Sequence, residues 1–330
     1  MDMRAAVARG GDPAQKVEPT IAYTFNTLAD AWLTRHAERK KVPAAVADDK
    51  RILIKDVRVR IGDKSADAVT RTDIVHILDA MVERGAGVRA NRALALIKSI
   101  YTWGSKTELV TANPAAKVDK PTKERPRDRV LTTAEINAFW NGLGNTPMSP
   151  GIRLAMKLAL VTGQRIGQVQ AMSKAELDLT PGNPVWTAAG ANTKNGQANR
   201  TPLSPLALRL VAEAIALSGD SAFVFPSPSL EDAPVHATAA TRAMTRSRKV
   251  LGLAHFTAHD LRRTCASHMA EMGILPGTIA HVLDHSSVTH SSVTSAVYIK
   301  YSFDREKRIA LEAWGSQLEQ ILGGCASSVN

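Results

Sequence analysis

The sequence predicts a mainly α protein of two domains, an all-α domain followed by an α-rich domain with a small antiparallel sheet. Apolar residues recur at helical spacing through most of the 330 residues, which is the pattern of amphipathic helices. One stretch of the second domain instead has two strand-like runs on either side of an Asn/Gly-rich turn. A chain of this length with 44% apolar residues can bury two cores of ordinary size.

The domain boundaries follow from composition. Residues 1–20 are polar and contain a glycine pair, so we expect a poorly ordered lead-in. Residues 21–114 carry four helical patterns and no convincing strand. Residues 115–131 are rich in proline, lysine and arginine, which predicts an extended basic linker and not a packed element. Residues 132–330 then form the second domain.

The helices of the first domain are predicted over residues 24–41, 44–62, 70–85 and 88–108. The third of them has the clearest boundaries. Its opening residues, Thr70-x-x-Asp73, resemble a capping box, in which the two side chains satisfy amide groups of the first turn. It ends at Gly85, because glycine adopts the left-handed backbone that closes a helix.

The second domain begins with another capping-box pattern, Thr132-x-x-Glu135. The run "IRLAMKLALVTG" predicts a helix that ends at Gly163, and residues 185–204 predict a hairpin. From about Thr238 onwards, short helices are separated by glycine or proline. The final helix is expected to have an apolar side made of Ile309, Leu311, Trp314, Leu318 and Leu322.

The charge balance favours a polyanionic partner. Lysine and arginine number 42 against 31 acidic residues, a net charge of +11, and nucleic acid is the simplest such partner. A basic protein without a polyanion fits the charge about equally well. If the partner is DNA, basic residues of the fourth helix, the linker and the hairpin are the candidate contacts. They are Arg89, Arg92, Lys98, Lys120, Lys123, Arg125, Arg127, Arg129 and Arg200.

The two cysteines predict no disulfide framework. Cys265 falls in a predicted helix and Cys325 in a polar tail, so a reducing cytoplasm is the expected compartment. No apolar run reaches the length of a membrane span, and the first residues contain no apolar core of a signal peptide.

Candidate chemistry is concentrated in the second domain. Arg165, in "TGQRIG", follows a helix-ending glycine and could hold an anion or pair with a carboxylate. His259 and Arg262 stand three apart and share a helix face, which suits a phosphate, although such pairs are commonly structural. His285 ends the short helix "VLDH". Lys194 lies at the hairpin turn, where a lysine is usually solvated.

In chain order these residues are an arginine, a hairpin lysine, a His-x-x-Arg pair and a histidine, and tyrosines follow. The motifs "VTGQRIGQVQAM", "TKNGQANRTPLS", "AHDLRRTCASHMAEMGI", "HVLDHSS" and "VTSAVYIKYSFDREKRIALEAW" together resemble the tyrosine recombinases of the phage-integrase family, most closely those of P4-like prophages and genomic islands. The resemblance covers residues 22–320. In the first half, "TLADAWL", "ANRALALIKSIYTWG" and Asn113-Pro114 resemble the family's helical core-binding domain.

The resemblance implies a site-specific recombinase that cuts a DNA strand with a tyrosine and holds the end as a 3′-phosphotyrosyl ester. A 5′-hydroxyl then reverses the attack, without ATP, a metal or another cofactor. The arginines would stabilise the charged phosphate, the histidines would add donors, and His259 would help take the tyrosine proton. Lys194 would protonate the leaving 5′-oxygen, and Tyr298 would be the nucleophile. The implied catalytic set is Arg165, Lys194, His259, Arg262, His285 and Tyr298.

Two pairs of similar groups precede the final helix. The unit HSSVT occurs twice, and only His285 follows the "VLD" that resembles the family's Leu-Gly-His or Leu-Asn-His, so His290 is interpreted as part of a longer connector. Counting back from "EKRIALEAW" at 306–314 puts Tyr298 at the nucleophile position. Tyr301 then falls at a variable position and is interpreted as a packing or DNA-edge aromatic residue.

The sequence departs from the family pattern in several places. Gln168 stands where the family usually has Glu or Asp, a change expected to lower activity modestly, and Arg200 stands where relatives often have His. Thirteen residues lead from His285 to Tyr298, a connector long enough to let the tyrosine move or the final helix reach a neighbouring protomer. Residues 8–16 resemble the end of the family's arm-binding domain.

As partners, the resemblance implies double-stranded DNA attachment sites, a tetramer on two DNA segments, and an accessory excisionase or DNA-bending protein, with the enzyme at the bacterial nucleoid. One alternative is a Xer-like resolvase of chromosome or plasmid dimers, and another is a catalytically silent DNA-binding factor. A third is a zinc site, since several histidines crowd one region, although they lack the His-Glu-x-x-His spacing of zinc hydrolases. These are His255, His259, His268, His281 and His285.

Overall fold

The computed structural model describes residues 23–124, 128–190, 196–285 and 301–323. The chain forms two compact units, Met1–Pro126 and Arg127–Asn330, each with its own hydrophobic core. Helices dominate both, and the second contains one small antiparallel sheet, so the predicted fold class is confirmed. Within the described ranges, no helix combines the length and the apolar character that a membrane crossing requires. The predicted lead-in lies outside these ranges.

The first unit is built from the four predicted helical stretches. Its α-helices are α1 (Phe25–Trp32), α2 (Glu38–Lys40), α3 (Pro43–Ile52), α4 (Arg58–Ile61), α5 (Arg71–Glu83) and α6 (Gly87–Lys106). Both reciprocal hydrogen bonds of the Thr70–Asp73 capping box are present, which explains where α5 begins. The long helix α6 packs against α5 and α1. Its buried Tyr101 donates its hydroxyl to the carbonyl of Ala66 at 3.0 Å.

Two π-helical turns, Leu33–Ala37 and Leu53–Val57, continue α1 and α3. Such a turn inserts one extra residue and thereby rotates the side chains that follow it. In the second turn Asp56 is fully buried and is ion-paired with Arg84 and with Arg89, whose Nε lies 3.3 Å from Oδ2. The two guanidinium groups supply the charge that makes burial of this carboxylate tolerable.

The first part of the predicted linker differs from expectation, because it is packed. Ala115 and Val118 are buried in the core of the first unit. The buried Asn91 on α6 donates from Nδ2 to the carbonyl of Thr122 at 2.7 Å and accepts from its amide at 3.2 Å. The proline and lysine content predicted an extended chain, but two apolar side chains and one buried amide are enough to attach this segment to α6.

The second unit surrounds one buried helix. Its helices are α7 (Thr133–Gly142), α8 (Pro150–Thr162), α9 (Ile166–Gln170), α10 (Pro205–Ser218), α11 (Ala239–Leu251), α12 (Ala258–Glu271), α13 (Pro276–Val282) and α14 (Asp304–Gly323). The capping box of Thr132 and Glu135 opens α7 as predicted. Helices α10, α11, α12 and α14 all contact α8, which is apolar on nearly every side and forms the centre of the core.

The predicted hairpin is present and carries a third, short strand. Strands β1 (Leu177–Asp178), β2 (Val185–Ala188) and β3 (Asn199–Pro202) form an antiparallel sheet in the order β1-β2-β3. Trp186 of β2 pairs with Thr201 of β3. The indole of Trp186 is buried and donates to Glu176 Oε2 at 3.0 Å, which fixes β2 on the preceding turn.

The final helix α14 packs against the core of its own unit. Trp314 is fully buried, donates from Nε1 to the carbonyl of Leu160 at 3.0 Å, and stacks on the ring of His268 with 5.4 Å between ring centroids. Leu311 and Leu318 are buried beside it. Ile309 was expected on this apolar side, but it is 60% exposed, because it lies off the face that Leu311 and Leu318 share.

Replacing Trp314 by alanine should lower the free energy of unfolding by about 3–5 kcal/mol, because it removes a fully buried aromatic side chain and leaves a cavity. Replacing the exposed Ile309 on the same helix should change it by no more than about 0.5 kcal/mol. Urea unfolding of both variants measures the difference. Equal losses in the two variants would contradict the packing of α14 against the core through Trp314.

Candidate active site

The turn that carries Arg165 is held in a crowded corner of the second unit. Helix α8 ends at Gly163, whose φ of +66° is the left-handed conformation that favours glycine. A Cβ atom at this position would lie 3.0 Å from Cys265 Sγ and 3.1 Å from Leu283 Cδ2. Both backbone and space therefore require glycine, and Arg165 is held two residues later at the start of α9.

Arg262 of α12 is buried and joins this turn to the end of α13. Its side chain is 5% exposed. Nη1 donates to the carbonyl of Gly163 at 3.0 Å, and Nη2 donates to the carbonyl of Leu283. Burial, together with the nearby positive charge of Arg165, lowers the pKa of Arg262 to about 10. The two arginines therefore lie close together, and Arg262 stays protonated at neutral pH.

Asp284 brings a carboxylate to the same place. Its backbone has a φ of +48°, and its Oδ2 lies 3.9 Å from Arg165 Nη1, which is ion-pair distance but beyond a hydrogen bond. Arg165 Nη1 is buried and has no hydrogen-bond acceptor among the described residues. The next residue, His285, donates its backbone N–H to the carbonyl of Ala280 at 3.0 Å, which fixes the backbone of this exposed, predicted histidine at the end of α13.

His259 lies one turn before Arg262 on α12, as the spacing predicted. Its pKa is lowered, first by partial desolvation and then by the charges of Arg262, Arg263 and Arg165, while Asp260 opposes the shift. Arg262 shares a helix face with the ring. At pH 7 the imidazole is neutral and can both donate and accept a proton.

Stability should depend on pH through His259. A lowered pKa means that the folded protein binds this proton less readily than the unfolded chain does, so stability falls as pH drops from 7 through 6.5 toward the folded pKa. We expect His259→Gln to lose less stability than the wild type between pH 7 and pH 5. Urea midpoints at the two pH values measure this. The same loss in both proteins would contradict the lowered pKa.

Two residues of α14 lie beside the hairpin, and sequence reasoning singled out only their partner Arg200. Arg200 Nε is 2.7 Å from Asp304 Oδ2. Lys307 is buried, donates to the carbonyl of Arg200 at 2.6 Å and lies 3.0 Å from Asp304 Oδ1. Burial lowers the pKa of Lys307, and the nearby Asp304 opposes the shift. These contacts fasten the first turn of α14 to β3.

The chain reaches α14 from the side of α13. Phe303 stacks on His281, with 3.7 Å between ring centroids. The exposed Tyr301 donates its hydroxyl to Glu306 Oε2 at 3.0 Å, and this hydrogen bond to a carboxylate raises its pKa. The structure does not describe residues 286–300 and 191–195, so the predicted nucleophile Tyr298 and the predicted acid Lys194 fall outside the described ranges.

The candidate DNA contacts divide into two groups. Four have partners within the protein: Arg89 with Asp56, Lys98 with the carbonyl of Val118, Arg129 with Glu135, and Arg200 with Asp304. Three others are exposed, namely Arg92, Lys120 and Lys123. Arg125 and Arg127 lie outside the described ranges. DNA binding by any of these residues stays a prediction.

Sequence reasoning missed a basic helix face in the second unit. Arg242, Arg246 and Lys249 lie on α11 at spacings of four and three residues, which places them on one side of the helix. All three are exposed, and none forms an ion pair with another residue that the structure describes. The pattern "TRAMTRSRK" could have indicated this face, because its buried Ala243, Met244 and Ser247 fill the other positions.

The residues brought together are therefore two arginines, His259 and one carboxylate in a mainly α unit, an arrangement suited to holding a charged phosphate, and His285 follows that carboxylate in the chain. Residues 129–303 match the Phage integrase family, and residues 25–121 match the Phage integrase central domain. The chain belongs to the phage integrase family. It is a tyrosine recombinase, an enzyme of DNA strand breakage and rejoining.

Individual relatives agree with this assignment. The chain is 26% identical to prophage integrase IntZ of Escherichia coli (strain K12), over 98% of this chain and 80% of that protein. It is also 26% identical to tyrosine recombinase XerC of Xylella fastidiosa (strain M23), over 71% of this chain and 79% of that one. A similar fold is found in a lambda integrase tetramer bound to a Holliday junction, with a TM-score of 0.68, 21% identity and coverage of 87% of this chain and 89% of that chain. The Tn1549 transposon integrase in complex with circular intermediate DNA has a TM-score of 0.64 at 16% identity, covering 86% of this chain and 98% of that one.

Proposed function

We propose that this recombinase is an integrase of a P4-like prophage or genomic island, which integrates or excises its element through a 3′-phosphotyrosyl intermediate. The observation that carries the proposal is the pair of arginines at the turn after α8, with Arg165 in the turn and Arg262 reaching it from α12. Arg262 donates two hydrogen bonds to backbone carbonyls, whereas Arg165 Nη1 has no hydrogen-bond acceptor within the described residues. A DNA phosphate supplies an acceptor for such a donor.

Arg165 and Arg262 form the proposed phosphate clamp, which stabilises the transition state by its positive charge. A phosphodiester under attack gathers negative charge on its non-bridging oxygens, and cations held in place beforehand stabilise that charge better than water does. The guanidinium of Arg262 is already held by two backbone carbonyls, and the backbone of Arg165 is fixed at the start of α9, so little rearrangement is needed. The neutral His259 is suited to take the proton of the tyrosine, and His285 is suited to donate a hydrogen bond to the phosphate.

Tyr298 as nucleophile and Lys194 as general acid rest on the family pattern and on chain length. Phe303, which stacks on His281, comes only five residues after Tyr298, and five residues of chain span at most about 18 Å. The strand β3 begins five residues after Lys194. Both residues are therefore tied by short lengths of chain to elements that border the arginine pair.

The proposed DNA and protein partners are inferred from the similar structures. The similar structures are integrase–DNA complexes, among them a dimer on a core site and a tetramer on a Holliday junction. We propose that this chain binds double-stranded attachment sites and recombines them as a tetramer, with help from an accessory excisionase or DNA-bending protein. The exposed basic face of α11, formed by Arg242, Arg246 and Lys249, is suited to the phosphate backbone, together with Arg92 and Lys120.

A Xer-like resolvase is the second candidate, because the similarity to XerC proteins covers 71% of this chain. The two functions differ in the DNA sites that are recombined. An integrase joins two different attachment sites, whereas a dimer resolvase acts on two copies of one site. Sequencing the junctions formed in cells that carry the gene and its flanking DNA separates them, and junctions between identical sites only would overturn the integrase proposal.

Covalent capture on a nicked DNA substrate tests the proposed cleavage by a tyrosine. Cleavage close to a nick releases a short oligonucleotide, and its loss traps the enzyme on the remaining strand. We expect the wild-type protein to form a covalent complex with the DNA that flanks its element, without ATP or added metal. The absence of a covalent complex, under conditions where the same DNA is bound, would overturn the proposal.

A further inference from the structure

A single buried amide connects the elements of the candidate active site. Gln164, the residue before Arg165, is 1% exposed. Its Nε2 donates to the carbonyl of Val282 at 2.7 Å and to that of Thr162 at 3.2 Å. Its Oε1 accepts from Nδ2 of the buried Asn199 at 3.0 Å. Both donor hydrogens of the side chain and its carbonyl oxygen are therefore in use.

These partners lie on different elements. Thr162 ends α8, Val282 ends α13 three residues before His285, and Asn199 opens β3. Arg262 makes a parallel link, since it bonds the carbonyls of Gly163 and Leu283. The turn that leads to Arg165 is thus joined to the end of α13 twice, through Gly163 to Leu283 by way of Arg262 and through Gln164 to Val282 directly. Of these two links, the one through Gln164 also includes the sheet, because Gln164 bonds Asn199.

We propose that Gln164 is a positioning residue, which fixes Arg165 relative to His285 and β3 so that its guanidinium meets the scissile phosphate. The inference rests on the proposed phosphate clamp and adds to it the group that sets its geometry. A guanidinium displaced by about 1 Å stabilises the transition state much less, a loss of order 10²-fold in rate. Loss of the amide leaves Val282 O and Asn199 Nδ2 without this partner, so the turn is free to shift.

A purely structural role is the alternative, and Gln170 is the matched control. It is an amide of the same unit, it is fully buried, and its Nε2 donates to the carbonyl of His236 at 3.3 Å. Gln170 ends α9, five residues after Arg165, but its hydrogen-bond partner His236 belongs to none of the elements that carry the predicted catalytic residues. Gln164→Met and Gln170→Met each exchange a buried amide for an unbranched apolar side chain of similar length, but the first removes three described hydrogen bonds and the second one, so urea unfolding of both variants measures their different effects on folding.

The charge of the phosphate separates the two roles. A methylphosphonate at the cleavage position replaces one charged oxygen by a methyl group, so less negative charge has to be stabilised and the arrangement of Arg165 matters less. A defect in the clamp is therefore smaller on this neutral DNA than on ordinary DNA. A defect in folding is the same on both, because the fraction of folded enzyme does not depend on the substrate.

The experiment measures single-turnover cleavage of nicked DNA that carries either linkage. We expect Gln164→Met to slow cleavage of ordinary DNA about 10²-fold and that of the methylphosphonate less than about tenfold, with DNA affinity within about threefold of wild type. Asn199→Leu, which removes only one of the contacts, should show the same pattern more weakly and serves if Gln164→Met does not fold. Gln170→Met should affect both substrates equally.

Equal slowing of both substrates by Gln164→Met and by Asn199→Leu would overturn the inference and leave the proposed function standing. A wild-type protein that binds both DNAs and cleaves neither would overturn the proposed function, and this inference with it.

Discussion

Tyr298→Phe should abolish the covalent complex with nicked DNA while leaving DNA binding within about threefold of wild type. The variant lacks only the phenol oxygen that attacks the phosphate, and no other group can replace it as a covalent nucleophile at that position. The expected loss exceeds about 10⁴-fold, the scale on which removal of an attacking group reduces an enzyme's rate. Denaturing gels of the trapped complex measure the covalent product, and gel shifts measure binding.

Tyr301→Phe is the matched control, three residues away and identical in chemistry. The hydroxyl of Tyr301 donates to Glu306 on the following helix, and that hydrogen bond raises its pKa, which makes this phenol harder to deprotonate. We expect the variant to keep at least about a third of the wild-type cleavage rate. A dead Tyr301→Phe together with an active Tyr298→Phe would reverse the assignment.

Arg262→Lys should reduce cleavage by about 10²–10³-fold, the scale on which loss of one transition-state donor acts. A lysine keeps the positive charge but has one nitrogen, so it cannot reach the carbonyls of Gly163 and Leu283 together. Stability should fall as well, by about 1–3 kcal/mol, since a buried carbonyl loses its donor. Single-turnover cleavage and urea unfolding measure the two effects.

The neighbouring Arg263 provides the comparison. It is about a third exposed and pairs with Asp260 one turn earlier. Arg263→Lys keeps that charge pair, and we expect cleavage within about threefold of wild type and little change in stability. An equal loss of cleavage in Arg262→Lys and Arg263→Lys would show that total charge on α12 matters and that the geometry of the clamp does not.

Most of the fold was predictable, because the patterns that determine it are local. The helices follow apolar periodicity, the capping boxes at Thr70 and Thr132 set two helix starts, and the hairpin lies on either side of its Asn/Gly turn. The packed part of the predicted linker and the exposure of Ile309 were not predictable in this way. Both depend on which surface another element offers, and periodicity within one segment does not contain that information.

In the candidate site, too, local patterns were predictable and contacts between distant segments were not. The residue types and their order predicted Arg165, His259, Arg262 and His285, because spacing on a helix and motif order are visible in the sequence, and the catalytic roles of these residues stay predictions. The pairing of Arg165 with Asp284 and the hydrogen bond from Gln164 to Val282 join residues more than a hundred positions apart, so only the folded chain brings them together. Buried Lys307 was missed for the same reason, since a lysine in a basic run predicts a solvated side chain.

The position of the DNA adduct on the protein identifies the nucleophile directly. Trypsin cleaves after Lys300, so Tyr298 ends up in the fragment 264–300, where it is the only tyrosine, and Tyr301 in the fragment 301–305. After nuclease digestion of the trapped complex, mass spectrometry identifies the fragment that carries a nucleotide. We expect the adduct on residues 264–300, through Tyr298, and an adduct on residues 301–305 would show that Tyr301 is the nucleophile instead.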